Sequence, residues 1–141
     1  MPKTVSEVKE QQIGNRRKVV NKFFSQIIDG KFMEGLEHFA ENCKTHNPYT
    51  SGGIRDLINA MAKAGAEGAS EYPDAELSVR HIIAEGDLVA VHTQLLSSKG
   101  KPSEGGLRQI HLFRFEGEKI VEYWDVTQQI LASMPNAGGA F

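Results

Sequence analysis

The chain has 141 residues and a formal net charge of −2, with 16 Lys and Arg against 18 Asp and Glu. That length encloses one sizeable core and excludes two large domains, and the balanced charge argues against a nucleic-acid-coating protein. Cys43 is the single cysteine, which excludes an internal disulfide and a Cys-rich metal cage.

The N-terminal segment lacks the unbroken apolar stretch of a signal peptide, and nowhere do ~18 apolar residues run together, so a cytoplasmic protein without a membrane partner is expected. From Thr4 to Ile28 the pattern is helical. Thr4 and Glu7 suit a capping box, and Val20, Phe23, Phe24, Ile27 and Ile28 recur at helical offsets. The basic cluster Arg16, Arg17, Lys18 reads as a solvated face of that helix. After Asp29-Gly30, residues Phe32 to Ala40 predict a second, shorter amphipathic helix with His38 on its polar side. Residues Glu41 to Gly53 read as an extended piece opening into a loop, where Pro48 restrains Asn47 and directs the neighbouring His46. A third helix is expected from Ile54 to Ala64, ended by Gly65, Gly68 and Pro73.

From Leu77 the period changes to that of strands. LSVRHII and LVAVHTQLL flank Glu85-Gly86-Asp87, and GLRQIHLFRF and KIVEYWDVTQQ flank Glu116-Gly117-Glu118, which predicts two antiparallel hairpins with three-residue turns. Residues 129–141 read as a C-terminal tail or lid, and residues 1–141 as one domain. Helices first and an antiparallel sheet later make an α+β domain.

The second hairpin carries the candidate chemistry. A three-residue turn pairs His111 with Asp125 and puts Gln109, Phe113, Phe115, Val121 and Tyr123 on the same face. An imidazole beside a carboxylate in a water-poor site balances desolvation against mutual attraction, which suits acid/base work near neutral pH. The same pair is also readable as a hydrogen-bonded structural pair or as two polar groups at a wet sheet edge. Ile110, Leu112, Arg114, Ile120, Glu122, Trp124 and Val126 take the opposite face, which suits core packing or a dimer interface.

His46 and His92 are secondary substrate-binding candidates. In the first hairpin, His92 is expected near Arg80, with His81 on the other face, so the two histidines of that hairpin are not expected to converge. His46, His92, His111 and Asp125 could ligate a metal if assembled, but they form no compact ligand motif, and no metal is expected.

FFSQIIDGKFMEGL, THNP, HIIAEGDLVAVH and HLFRFEGEKIVEYWDV together resemble the SnoaL-like polyketide cyclases, within the superfamily that resembles nuclear transport factor 2. The resemblance runs from the first helix through Gln128. It implies a cone-shaped, cystatin-like barrel with helices packed against a curved mixed β-sheet, and a homodimer. It also implies that His111 and Asp125 serve the acid/base site of a cofactor-independent lyase, cyclase or isomerase. His46, His92, Gln109, Phe113, Phe115 and Tyr123 would then contact an apolar, carbonyl-containing small molecule. The alternative is a noncatalytic protein that binds a hydrophobic small molecule.

Overall fold

The structure, a computed structural model, describes residues 1–141. In chain order it comprises α1 (Val5–Ile28), a 3-10 helix (Met33–His38), β1 (Phe39–Thr45), α2 (Gly53–Glu71), β2 (Glu76–Glu85) and β3 (Leu88–Leu96). A short 3-10 turn (Pro102–Glu104), β4 (Gly105–Glu116) and β5 (Lys119–Leu131) complete it. The strands form one mixed sheet in the order β1-β5-β4-β3-β2, with β1 parallel to β5 and the other pairs antiparallel.

The α+β class and the mixed sheet agree with the sequence reading, but the barrel does not form. The sheet is open: β1 and β2 are its two edges and pair with β5 and β3 alone. Five strands are fewer than the roughly eight of small closed barrels. Burial of one face is achieved instead by helices, since Val20, Phe23, Phe24 and Ile27 of α1 and Ile54, Leu57 and Ile58 of α2 enter the core cluster with the strands. We call this the covered face and the other the open face.

Helix α1 starts as expected, with the Thr4 hydroxyl accepting the Glu7 backbone N–H at 3.1 Å. Arg16 is not merely solvated. Its guanidinium donates to the Gly86 carbonyl (3.0 Å) and the Gly117 carbonyl (3.3 Å), and it lies over the Phe115 ring, pinning both hairpin turns to α1.

The expected second helix is cut short, because Phe39 pairs with Ile120 and opens β1. His38 is accordingly buried rather than on a polar side, and hydrogen-bonds Gln26 at 2.8 Å. The third helix runs through both glycines to Glu71. Gly65 sits against the Phe32 ring, where a Cβ would come within 2.9 Å of the ring, so this glycine permits close packing instead of ending the helix.

Both hairpins turn on two residues rather than three, since Glu85 pairs with Leu88 and Glu116 with Lys119. Gly86 and Gly117 each take positive φ (57° and 59°), which favours glycine over residues bearing a Cβ. Each hairpin also carries one extra residue, a β-bulge at Arg80 and another at Val121. The Val121 bulge lies between its turn and His111, which restores the His111–Asp125 pairing expected from a longer turn. The Arg80 bulge lies beyond His81, so His81 pairs with His92 and the two share the open face, contrary to expectation. Past that bulge the facing of β2 switches: Leu77 and Val79, then Ile82 and Ala84, pack on the core.

Strand β5 continues to Leu131, so the tail proper begins after it. Arg108 donates to the Ala140 carbonyl at 3.0 Å and to Gln128 at 2.7 Å, tying the tail to the open side of the sheet.

Candidate functional site

Three successive rows of cross-strand neighbours on β3, β4 and β5 build the covered face: Val89–Phe113–Tyr123, Val91–His111–Asp125 and Thr93–Gln109–Thr127. The β3 members Val89, Val91 and Thr93 are all fully buried, while on β4 and β5 burial falls off along this order, from Phe113 at 0% exposed to the exposed Thr127. The β4 and β5 ends of the rows therefore grade from apolar core to solvent, with His111 buried and Asp125 at the boundary.

His111 and Asp125 are register partners, but the imidazole does not bond the carboxylate. Its Nδ1 lies 2.7 Å from the Tyr123 hydroxyl and its Nε2 lies 3.0 Å from the Thr93 hydroxyl. The Tyr123 hydroxyl in turn donates to Asp125 Oδ2 at 3.3 Å. From β1's side, the Asn47 side-chain amide donates to both carboxylate oxygens, at 3.2 and 2.9 Å. Asn47 is oriented by its own turn: the Tyr49 backbone N–H donates to Asn47 Oδ1 at 2.8 Å, which leaves the amide nitrogen aimed at Asp125. Pro48 restrains the backbone of Asn47, so the Asn-Pro-Tyr phrase is a local device for holding that amide.

Electrostatics assigns the protons. Burial holds His111 down to about 4, against the opposing pull of the Asp125 charge, so the ring is neutral at pH 7. Burial, reinforced by the neighbouring Asp125, pushes the Tyr123 phenol well above its usual range, so its hydrogen stays on. Because Tyr123 gives that hydrogen to Asp125, it accepts from His111 Nδ1–H. Phe24 of α1 closes the site from above, its ring edge-on to His111 with centroids 5.0 Å apart.

The remaining expected site residues fall in three groups. Gln109 joins the polar rows, 3.1 Å from Thr93 and 3.2 Å from Thr127. Phe113 and Phe115 are at 0% and 1% exposure; Phe113 packs edge-on against Phe23 and Phe24, so both aromatics form closed core rather than ligand surface. His46 and His92 do not face Asp125. His46 is on the open face, 2.7 Å from Glu122 and stacked on Trp124 at 4.8 Å between centroids. Alternation along the chain past β1 sends His46 one way and Asn47 the other. His92 is also on the open face, its Nδ1 3.0 Å from Nδ1 of His81. The four candidate metal ligands thus lie on two faces of one sheet, and no three His, Cys, Asp or Glu side chains form a metal-holding group.

Two residues bonded to Asp125 and His111 escaped the sequence reading, Asn47 and Thr93. The signals were present: Cys43 faces the core, so strand alternation carries Asn47 to the covered side, and Thr93 shares the parity of Val89 and Val91.

A helix-backed open sheet with a graded polar row on its covered face defines a small α+β domain with one hydrogen-bonded carboxylate site. The model of the SnoaL-like domain matches residues 20–123, and the chain belongs to this family. That match includes Asn47, Thr93, His111 and Tyr123 and ends two residues short of Asp125. No curated protein matches the sequence. Among solved structures, AclR from Streptomyces galilaeus is 19% identical with a TM-score of 0.63, covering 82% of this chain and 80% of its own. Bal32a, from a soil-derived mobile gene cassette, is 15% identical with a TM-score of 0.64 and coverage of 82% and 91%. A SnoaL-like protein of unknown function from Burkholderia thailandensis is 13% identical, with a TM-score of 0.61 and coverage of 82% and 95%. At these identities the likeness is one of fold.

Proposed function

We propose that the protein is a cofactor-independent lyase, cyclase or isomerase acting on an apolar carbonyl compound, with Asp125 as the base. The observation that carries this reading is the setting of Asp125. It is half-buried, gripped by Asn47 on one side and Tyr123 on the other, with an apolar aromatic core behind it. A carboxylate so held is oriented for proton abstraction and is still reachable from solvent.

In the proposed reaction Asp125 removes a proton from the carbon next to a carbonyl, and the C–H electron pair becomes an enolate. In a cyclase or aldol reaction the enolate carbon bonds to a second carbonyl carbon, whose oxygen takes the proton back from the Asp125 carboxyl. In an isomerase acting on a β,γ-unsaturated carbonyl compound the enolate is a conjugated dienolate, and the proton returns to its γ carbon. His111 does not touch the substrate in this scheme, because both ring nitrogens are engaged. Its role is to position.

The test begins by extracting co-purified compounds under native conditions and identifying them by mass spectrometry. Turnover of that compound is then compared between the protein and Asp125→Asn, which keeps shape and removes the base. Loss of turnover with binding retained supports the reading; unchanged turnover in a folded variant sinks it. A compound bound and never converted favours a noncatalytic binding protein. We further propose that the open face pairs with a second copy, supported by Ile83, Ile110 and Val126, which are 66%, 50% and 69% exposed there.

A further inference from the structure

We infer that the hydrogen-bond link from His111 to Asp125 runs only through the Tyr123 hydroxyl, within a one-way row of donors in which Thr93 and Tyr123 are positioning residues. The inference rests on Asp125 being the working carboxylate, and it names the groups that hold it ready.

Hydrogen counting fixes the direction. Tyr123 has one hydroxyl hydrogen and gives it to Asp125, so toward His111 its oxygen only accepts. Neutral His111 has one ring hydrogen, and the 2.7 Å contact to Tyr123 places it on Nδ1. Nε2 is then an acceptor, and the only donor beside it is the Thr93 hydroxyl at 3.0 Å. In the structure Thr93 faces Gln109 Oε1 and the Gln109 amide nitrogen donates to Thr127; with the Thr93 hydrogen committed to His111, the inferred row requires the nitrogen and oxygen of that amide to exchange places. Every link from Thr93 to Asp125 then points toward the carboxylate, and each bond polarises the next. The full reverse order requires a proton on Asp125, with Nε2 rather than Nδ1 of His111 carrying the ring hydrogen.

The groups facing Asp125 are few. Tyr123 on its own strand and His111 on β4 titrate; Asn47 supplies two fixed hydrogen bonds and does not. From α1 the site receives the Phe24 ring, which carries no charge.

The experiment follows the Asp125 carboxyl by carbon NMR against pH in the protein, in Tyr123→Phe, in Thr93→Val and in the double variant, with His111 nitrogen shifts recorded alongside. We expect Tyr123→Phe, which removes a hydrogen-bond donor to the carboxylate, to shift the Asp125 midpoint upward. Thr93→Val should raise it by less, and should add nothing once Tyr123 is replaced. In the unaltered protein at neutral pH, His111 should carry its hydrogen on Nδ1.

An unmoved midpoint in Tyr123→Phe overturns the inference, as does an equal effect of Thr93→Val in both backgrounds. If Tyr123→Phe does not fold, the nitrogen spectrum of the unaltered protein still decides, because a ring hydrogen on Nε2 at neutral pH contradicts the row. None of these readouts uses turnover. A base role refuted by Asp125→Asn would leave the titration result standing, and the converse also holds.

Discussion

His111 and Asp125 face each other across β4 and β5, yet the link between them runs through the hydroxyl of Tyr123, 2.7 Å from the imidazole and 3.3 Å from the carboxylate. The pair is a relay of hydrogen bonds, with the imidazole buried and neutral and the carboxylate at the solvent boundary. From this arrangement the behaviour of several variants can be stated in advance.

Asn47 should matter more than His46, its neighbour. Asn47→Ala removes both bonds to Asp125 and should lower turnover of the identified compound by ~10- to 100-fold, as loss of positioning of a reacting group does. His46→Ala removes a contact to Glu122 on the other face and should leave turnover within about twofold. Steady-state assays on the two variants check this, and a His46 effect equal to that of Asn47 would contradict the two-face assignment.

Acid should destabilise the protein through His111. Its native value of about 4 lies below the ordinary value of 6.5, so below 6.5 the unfolded chain takes up a proton that the folded protein resists. The stability this ring contributes is complete above 6.5, declines as pH falls, and is gone below about 4. The difference corresponds to roughly 3 kcal/mol. Urea unfolding at pH 7, 6, 5 and 4.5 should show this slope in the protein and its loss in His111→Gln.

On the open face, the His81–His92 hydrogen bond requires one ring hydrogen between two facing Nδ1 atoms. A proton on each ring sets two cations together. His92 is accordingly held below its ordinary value, first by burial and then by His81, Arg80 and Arg108. His81→Ala should raise the His92 midpoint in an NMR titration. A midpoint that stays in place would mean that burial and the arginines account for the whole shift.

Arg16 should be a stability residue. Arg16→Ala frees both hairpin turns and uncovers the Phe115 ring, and should destabilise by about 1 to 2 kcal/mol, read as a lower urea midpoint. Arg17→Ala, on the exposed side of the same helix, should be near neutral.

Self-association through the open face can be tested separately from catalysis. His81, His92, Ile110 and Val126 form one row across four strands, so Ile110→Asp puts a charge at its centre. Sedimentation analysis should show a dimer for the protein and a monomer for Ile110→Asp; a monomer in both would remove the proposed pairing.

Register explains what was legible beforehand. Strand alternation alone put His111, Asp125, Gln109, Phe113 and Tyr123 on one face, because side-chain facing depends only on the backbone period. Pairing His111 with Asp125 also succeeded, although the turn has two residues, because the Val121 bulge supplies the missing one before the pair is reached. The same reasoning misplaced His81, because the Arg80 bulge comes after the pair rather than before it. A bulge is set by packing across a sheet, and local residue types do not reveal which side of a given pair it will occupy.

By itself, then, the sequence determined the α+β class, the late antiparallel hairpins and the carboxylate and imidazole on a common face, since these follow from periodicity. Tertiary structure decided that the sheet stays open, that Phe113 and Phe115 are sealed in the core, and that Asn47 rather than His46 reaches Asp125. It also decided that a tyrosine stands between the two residues singled out for chemistry. Those outcomes depend on which surfaces the helices cover and on hydrogen bonds between residues as far apart as Asn47 and Asp125, and chain-local patterns do not encode such distances.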